Sequence, residues 1–311
     1  MIAIKQILSP VDFSAFSHHA LQHAVQLARW FDSTLTVLYM YPPPFAPPPV
    51  MFGGLPGPLP HEPYPTLTVS QELVHEEVLA QLTKFAATVD TSGVQLQITA
   101  QSGTAVRGIL AQAAASNSDL IVLGTHGHSG FDRWVLGSVT EKILRKASCP
   151  VLTISPPVGE AAGALQIFKR ILCPVDFSNS SLKALEYAMT LAEEADADLL
   201  LMHVIEGVPD NPDWQQPLNA SILEYLRLSE QNALQRLRAL IPADAREWCR
   251  PHETLVAGKP YEEILRLARE QDAHLIVMGV HGRNPIDLLL FGSTTNHVVR
   301  GATCPVLTLK G

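Results

Sequence analysis

Short apolar runs alternate with amphipathic stretches along the whole chain. In the first half AIKQILSP, TLTVLYMY, VQLQITA, LIVLGT and PVLTIS read as strands, being short, rich in β-branched residues and leucine, and bounded by turn residues. Between them the apolar positions recur at helical spacing, which predicts helices over 14–31, 68–89, 105–116 and 138–146. The second half repeats the order with RILCPV, LLLMHVI, REWCRPHETL, LIVMGV and PVLTLK. LIVLG and LIVMG are apolar throughout, the pattern of a central strand buried on both faces. Strands and helices alternating at this spacing predict an α/β protein of two Rossmann-like domains, each a five-stranded parallel sheet with helices on both faces.

The two halves are copies. Residues 5–14 read KQILSPVDFS and residues 169–178 read KRILCPVDFS, an offset of 164 that continues through Leu27-Ala28 and Leu191-Ala192. A second block matches at an offset of 155, pairing Gly103 with Gly258, Gly124 with Gly279 and Pro150 with Pro305. The first half therefore carries nine more residues between the blocks, in the region of the proline-rich stretch 42–65. Residues 156–166 have no periodic apolar pattern and read as a linker, which gives domains over 1–155 and 167–311. The proline-rich stretch favours extended backbone; it reads either as a docking segment or as a solvated loop.

Composition narrows the partners. The chain of 311 residues is 47% hydrophobic and 17% charged, enough apolar material for two buried cores. A net charge of −8 and no basic run argue against nucleic acid or an anionic membrane as partner. The apolar start MIAIKQILSP is too brief for a signal segment, and no run nears the roughly 18–20 apolar residues of a membrane span, so a cytoplasmic location is expected. Cys149, Cys173, Cys249 and Cys304 include no C-x-x-C pair, and Cys149 and Cys304 read as buried apolar thiols.

Two strand ends in each half carry unusual residues. Pro-Val-Asp follows the first strand, ending at Asp12 and Asp176. A glycine-rich loop follows the fourth, with Gly124, Gly127, Gly137 and Ser138 in one half and Gly279, Gly282, Gly292 and Ser293 in the other. Both loops fit G-x2-G-x9-G-[ST]. Glycines let amide hydrogens approach phosphate oxygens, and the helix that opens at Gly137-Ser138 or Gly292-Ser293 presents free N–H groups and a positive dipole end. The hydroxyls of Ser138, Ser293 and Thr294 can each donate one more hydrogen bond. One such loop is a weak sign; two at identical spacing, each paired with PVDFS, are a specific one.

This combination resembles the nucleotide-binding branch of the universal stress protein family over nearly the whole chain, excluding the linker and the proline-rich stretch. The resemblance implies the adenine nucleotide alpha hydrolase-like version of the fold and ATP, with Mg2+ as its companion ion, as ligand. It implies that Asp12 and Asp176 lie at the nucleotide, that the backbone at Met40 and Val204 receives adenine, and that the glycine loops receive ribose and phosphates. Val280 in place of Thr125, and Asn284-Pro285, depart from the pattern in the second half, as do Tyr39-Met40 beside His203-Val204 in the first. The resemblance also implies pairing through the final strands. With the halves tethered, 151–155 is expected to run beside 306–310 as an intramolecular pseudo-dimer, so that any homodimer would use another surface.

Other residues read more plainly. His18, His19 and His23 share a helix, but the second half has Lys183 and Tyr187 at the positions of His19 and His23, so an exposed polar face without metal is expected. His126 and His281 recur as G-x-H-G, facing phosphate or ordering the loop; Arg133 and Arg283 are offset differently in their loops and share no role. The expected function is non-enzymatic ATP-dependent stress response or signalling. No GxxxxGK[ST] loop, pyrophosphatase loop or acidic metal pair accompanies the motif, which leaves slow hydrolysis without a dedicated base, or a nucleotide-independent interaction module, as alternatives.

Overall fold

The computed structural model describes residues 3–43, 71–127, 136–155, 168–206, 220–282 and 292–310. Most of the proline-rich stretch, the linker, Arg133, Arg283 and Asn284-Pro285 lie outside them.

In the first half the strands are β1 Gln6–Val11, β2 Thr34–Tyr41, β3 Gln95–Ser102, β4 Leu120–Gly124 and β5 Val151–Ile154. The helices are α1 Ala15–Phe31, α2 Gln71–Ala86, α3 Ala105–Ala115 and α4 Ser138–Lys146. The second half has β6 Arg170–Pro174, β7 Asp198–Ile205, β8 Pro251–Ala257, β9 Leu275–Gly279 and β10 Val306–Leu309. Its helices are α5 Asn179–Ala195, α6 Ala220–Ala239, the single turn α7 Ala245–Trp248, α8 Pro260–Glu270 and α9 Ser293–Gly301.

REWCRPHETL was expected to be one strand, and here the structure differs. Residues 245–248 form a helical turn, Arg250 takes a left-handed φ of 37°, and the strand begins only at Pro251. Proline has no N–H for a ladder, so it starts a strand more readily than it sits inside one.

The ten strands form one sheet in the order β3-β2-β1-β4-β5-β10-β9-β6-β7-β8. Within each half every pairing is parallel; at the centre β5 and β10 pair antiparallel, with Leu152 opposite Leu307. The expected pairing of the last two strands is thus present. Side-chain hydrogen bonds repeat across it: Thr153 Oγ1 donates to the Val306 carbonyl (3.1 Å) and Thr308 Oγ1 to the Val151 carbonyl (3.2 Å).

The apolar core on each face runs unbroken across both halves. Leu21, Ala24 and Leu27 of α1 share one core with Leu185, Ala188 and Leu191 of α5. Ile109, Ile143, Ile264 and Val298, from α3, α4, α8 and α9, belong to the core on the other face. Because β5 and β10 are antiparallel, the carboxyl ends of the two sets of strands point in opposite directions. In each half the chain winds outward from the central strand to one side, then returns to the other at β4 or β9. A crevice between helices opens at that reversal, above β1/β4 and β6/β9.

Candidate functional site

The first strand of each half ends in a tightly bonded corner. Asp12 Oδ1 accepts from the Ser14 N–H (3.1 Å) and hydroxyl (2.5 Å), and Ser14 Oγ accepts from the Ser17 N–H (3.1 Å) as the α1 N-cap. Asp176 repeats this with Ser178 (3.0 and 2.6 Å), and Ser178 caps α5 through Ser181 N–H (3.3 Å). Ser14 and Ser178 are the N-caps the sequence indicates.

Between each aspartate and its serine stands a phenylalanine with φ of 64°, Phe13 and Phe177, a conformation that bulky side chains rarely adopt. Packing holds both rings. Phe13 lies 4.4 Å from Tyr39 and 5.3 Å from Phe85 between ring centroids; Phe177 lies 4.7 Å from His203, with the Arg236 guanidinium 4.0 Å over its face. His203 is itself fixed, donating from Nδ1 to the Val175 carbonyl at 2.7 Å.

The corner hands the second carboxylate oxygen to the glycine loop. A side chain begun at Gly282 would meet Asp176 Oδ2 at 3.0 Å, and one at Gly127 would meet Asp12 Oδ2. Each aspartate therefore has two parts: one oxygen secures the turn into the helix, and the other faces the loop.

The loop closes on itself before its helix begins. Gly137 N–H donates to the Thr125 carbonyl (2.9 Å) and Gly292 N–H to that of Val280 (3.2 Å). A Cβ at Gly292 would lie 2.7 Å from the Val280 carbonyl oxygen, too close for any side chain. Thr140 and Thr295, both buried, pin the first helical turn by donating to the carbonyls of Gly124 (2.8 Å) and Gly279 (2.9 Å). Gly137 and Gly292 are the N-caps of α4 and α9, and a glycine cap has no side chain to occupy the first helical N–H groups. Val280, a departure from the hydroxyl at Thr125, is buried and leaves this closure intact.

In the second half these parts surround a cavity of about 390 Å³. Asp176, Val204, Gly279, Gly282, Gly292, Ser293 and Thr294 all line it, so the structure brings together every residue singled out there. Met202, Met278, Pro260 and Ile264 supply an apolar wall, and His203, Glu206 and His281 add polar groups. A cleft of this size that joins an apolar wall to several convergent polar groups suits a small ligand. In the first half Met40 takes the place of Val204, and its thioether fills the space that a side chain at Gly108 would need.

Sequence reasoning left His281 undecided and missed the apolar wall, since Pro260 and Ile264 come from a helix with no motif. His281 lines the cavity, and its Nδ1 is buried with no partner among the described residues. His126 is buried, its Nδ1 2.9 Å from the Thr125 hydroxyl and its Nε2 likewise unpartnered. The helix histidines correct an expectation: His18, His19 and His23 are half-buried rather than exposed. Burial holds the His23 imidazole down to about 3, with His19 beside it contributing further. All four cysteines are free; Cys173, Cys249 and Cys304 are buried and Cys149 half-buried. No described helix is long and apolar enough to cross a membrane.

The chain matches the model of the universal stress protein family twice, over residues 3–155 and 167–310. It is 26% identical to a universal stress protein of Mycolicibacterium smegmatis, a match covering 98% of this chain and 96% of that one. It is 33% identical over 150 residues to a universal stress protein of Methanocaldococcus jannaschii, covering 46% of this chain and 83% of the relative. Among solved structures, a universal stress protein from Archaeoglobus fulgidus superposes with a TM-score of 0.63 at 21% identity, covering 100% of this chain and 98% of that one. That likeness is one of fold.

Proposed function

The chain belongs to the universal stress protein family, and from that membership we propose that it is an ATP-binding, non-enzymatic stress-response or signalling protein. Its two domains, 1–155 and 167–311, each hold one adenine nucleotide. The observation that carries this reading is the convergence of the seven second-half residues on one cavity of about 390 Å³. The apolar wall of Met202, Val204, Ile264 and Met278 suits an adenine ring, and the adjoining backbone at Val204 offers its edge hydrogen bonds. The N-termini of α9 and α4, with Ser293, Thr294 and Ser138, suit phosphates.

The donor set fits a nucleotide better than a dedicated metal centre. Among the described residues no group of three or more His, Cys, Asp or Glu could hold a metal. Mg2+ would arrive on the phosphates, with Asp12 or Asp176 as the protein's oxygen ligand, since this ion is often held by one carboxylate plus substrate oxygens. Nucleotide occupancy acts by changing the surface that the domain presents to a partner. Four free thiols accord with a reducing cytoplasm.

The test is direct. Protein purified without added nucleotide is denatured, and the released small molecules are identified by mass; ATP or a close adenine relative is expected. Isothermal titration of the emptied protein should then give two nucleotides per chain. Absence of any adenine nucleotide, together with no binding in titration, would overturn the reading.

A further inference from the structure

α1 carries a pair of histidines that the nucleotide reading does not use. His19 and His23 stand one helical turn apart, and their Nε2 atoms lie 3.3 Å from each other with the ring planes at 88°. The two Nε2 atoms thus face each other. In a tetrahedral complex with metal–imidazole bonds of about 2.0–2.1 Å, two ligand nitrogens stand about 3.3–3.4 Å apart. The free pair already has that separation.

The hydrogen bonds set the rings for the same task. His19 Nδ1 lies 3.3 Å from Gln22 Oε1, which can only accept, so the His19 proton sits on Nδ1 and its Nε2 presents a lone pair. A ring hydrogen bond of this kind is what orients metal-ligating histidines. His23 then donates from Nε2 to His19, and its own Nδ1 is buried with no partner among the described residues. The half-exposed His19 leaves a route for the ion and for the waters completing its shell.

We propose that His19 and His23 form a two-imidazole site for one divalent transition ion that favours nitrogen, of the Zn2+, Ni2+ or Cu2+ class. Tetrahedral binding leaves only two of the aqua ion's waters in place and releases the rest. The His23 proton is lost from Nε2 and one is regained at Nδ1, so both rings stay neutral and no net proton is released. Lys183 and Tyr187 occupy the matching positions in the second half, so the site occurs once per chain. Neither histidine lines the second-half cavity.

The test uses the full chain, treated with chelator and freed of nucleotide, titrated with Zn2+ by calorimetry. One high-affinity ion per chain is expected. His19→Gln, at the half-exposed position, and His23→Gln should each weaken it at least tenfold. Cu2+ bound to the parent should show magnetic coupling to two imidazole nitrogens in electron paramagnetic resonance, and to fewer in His19→Gln. If His23→Gln fails to fold, His19→Gln alone decides. No saturable binding by the parent, or unchanged affinity and stoichiometry in His19→Gln, would overturn the proposal.

Discussion

Leu152 stands directly opposite Leu307 in the only antiparallel pairing of the sheet among the described residues. The two leucines are equivalent positions of the repeat, so a pseudo-twofold axis passes between them. Both are nearly inaccessible, at 2% and 4% exposure, and both belong to the core shared by α1 and α5. The join between the halves is therefore a stretch of continuous core rather than a surface contact. Leu307→Asp would bury a carboxylate with no partner at the axis, a change of about 3–5 kcal/mol by analogy with uncompensated buried charges. The expected outcome is a large drop in melting temperature. Residues 1–157 alone, with β5 as a bare edge, should dimerise or lose solubility; a monomer at high concentration by light scattering would show that the seam is dispensable.

The Asp176–Gly282 approach separates structural from ligand roles. Gly282→Val pushes a branched side chain against Asp176 Oδ2 without touching the Ser178 bonds. Far-ultraviolet circular dichroism should stay unchanged while nucleotide affinity in the second site falls at least tenfold. Asp176→Ala also removes the acceptor for Ser178, so it should lower stability by about 1–2 kcal/mol as well as affinity. If both variants bind ATP as the parent does, the loop is a packing turn and nothing more.

Stability should depend on acid through His23. Its folded-state value near 3 lies below the ordinary 6.5, so the unfolded chain binds a proton that the native chain refuses. This contribution is complete above pH 6.5 and is lost as pH falls toward 3, at up to about 1.4 kcal/mol per pH unit. Thermal melts of parent and His23→Gln between pH 7 and 5 isolate it, since the other titrating groups are common to both chains. The parent should lose melting temperature faster than the variant; parallel slopes would mean that His23 is open to protonation in the fold.

Much of this was legible because the repeated signals are local. PVDFS, the spacing of the glycine loops, and the apolar runs at β4 and β9 each depend on a few neighbouring residues. The terminal pairing came from the family resemblance, supported by two short apolar edges on one tether. What escaped depends on contacts distant in sequence. Pro260 and Ile264 reach the cavity only because α8 packs on β7 and against α9. His23 looked exposed because its neighbours His18, His19 and Gln22 are polar, yet it lies in the stripe of α1 beside Ala20 and Leu27, both buried. The strand at REWCRPHETL failed at Arg250, whose left-handed backbone no pattern of apolar positions announces.

Met40 and Gly108 hold the remaining prediction. In the interior of a helix such as α3, replacing glycine by alanine ordinarily stabilises by about 1 kcal/mol. At Gly108 the sign should reverse, because Met40 Cε and Sδ occupy the space that a Cβ needs and Cγ lies 3.3 Å from it. Overpacking of this kind costs about 1–3 kcal/mol. The second half shows the other solution to the same space: Val204 stands for Met40, and Glu263 stands for Gly108, held by Arg266 at 2.6 Å. A shorter strand residue there accompanies a helix residue with a side chain. Met40→Val alone should therefore destabilise by leaving a gap, and Gly108→Ala alone by filling one already taken. The double variant should be more stable than either single change, with a coupling of about 1 kcal/mol or more in a double-mutant cycle by chemical denaturation. Additive effects would mean that the thioether moves aside freely and that the notch in α3 does not exist to receive it.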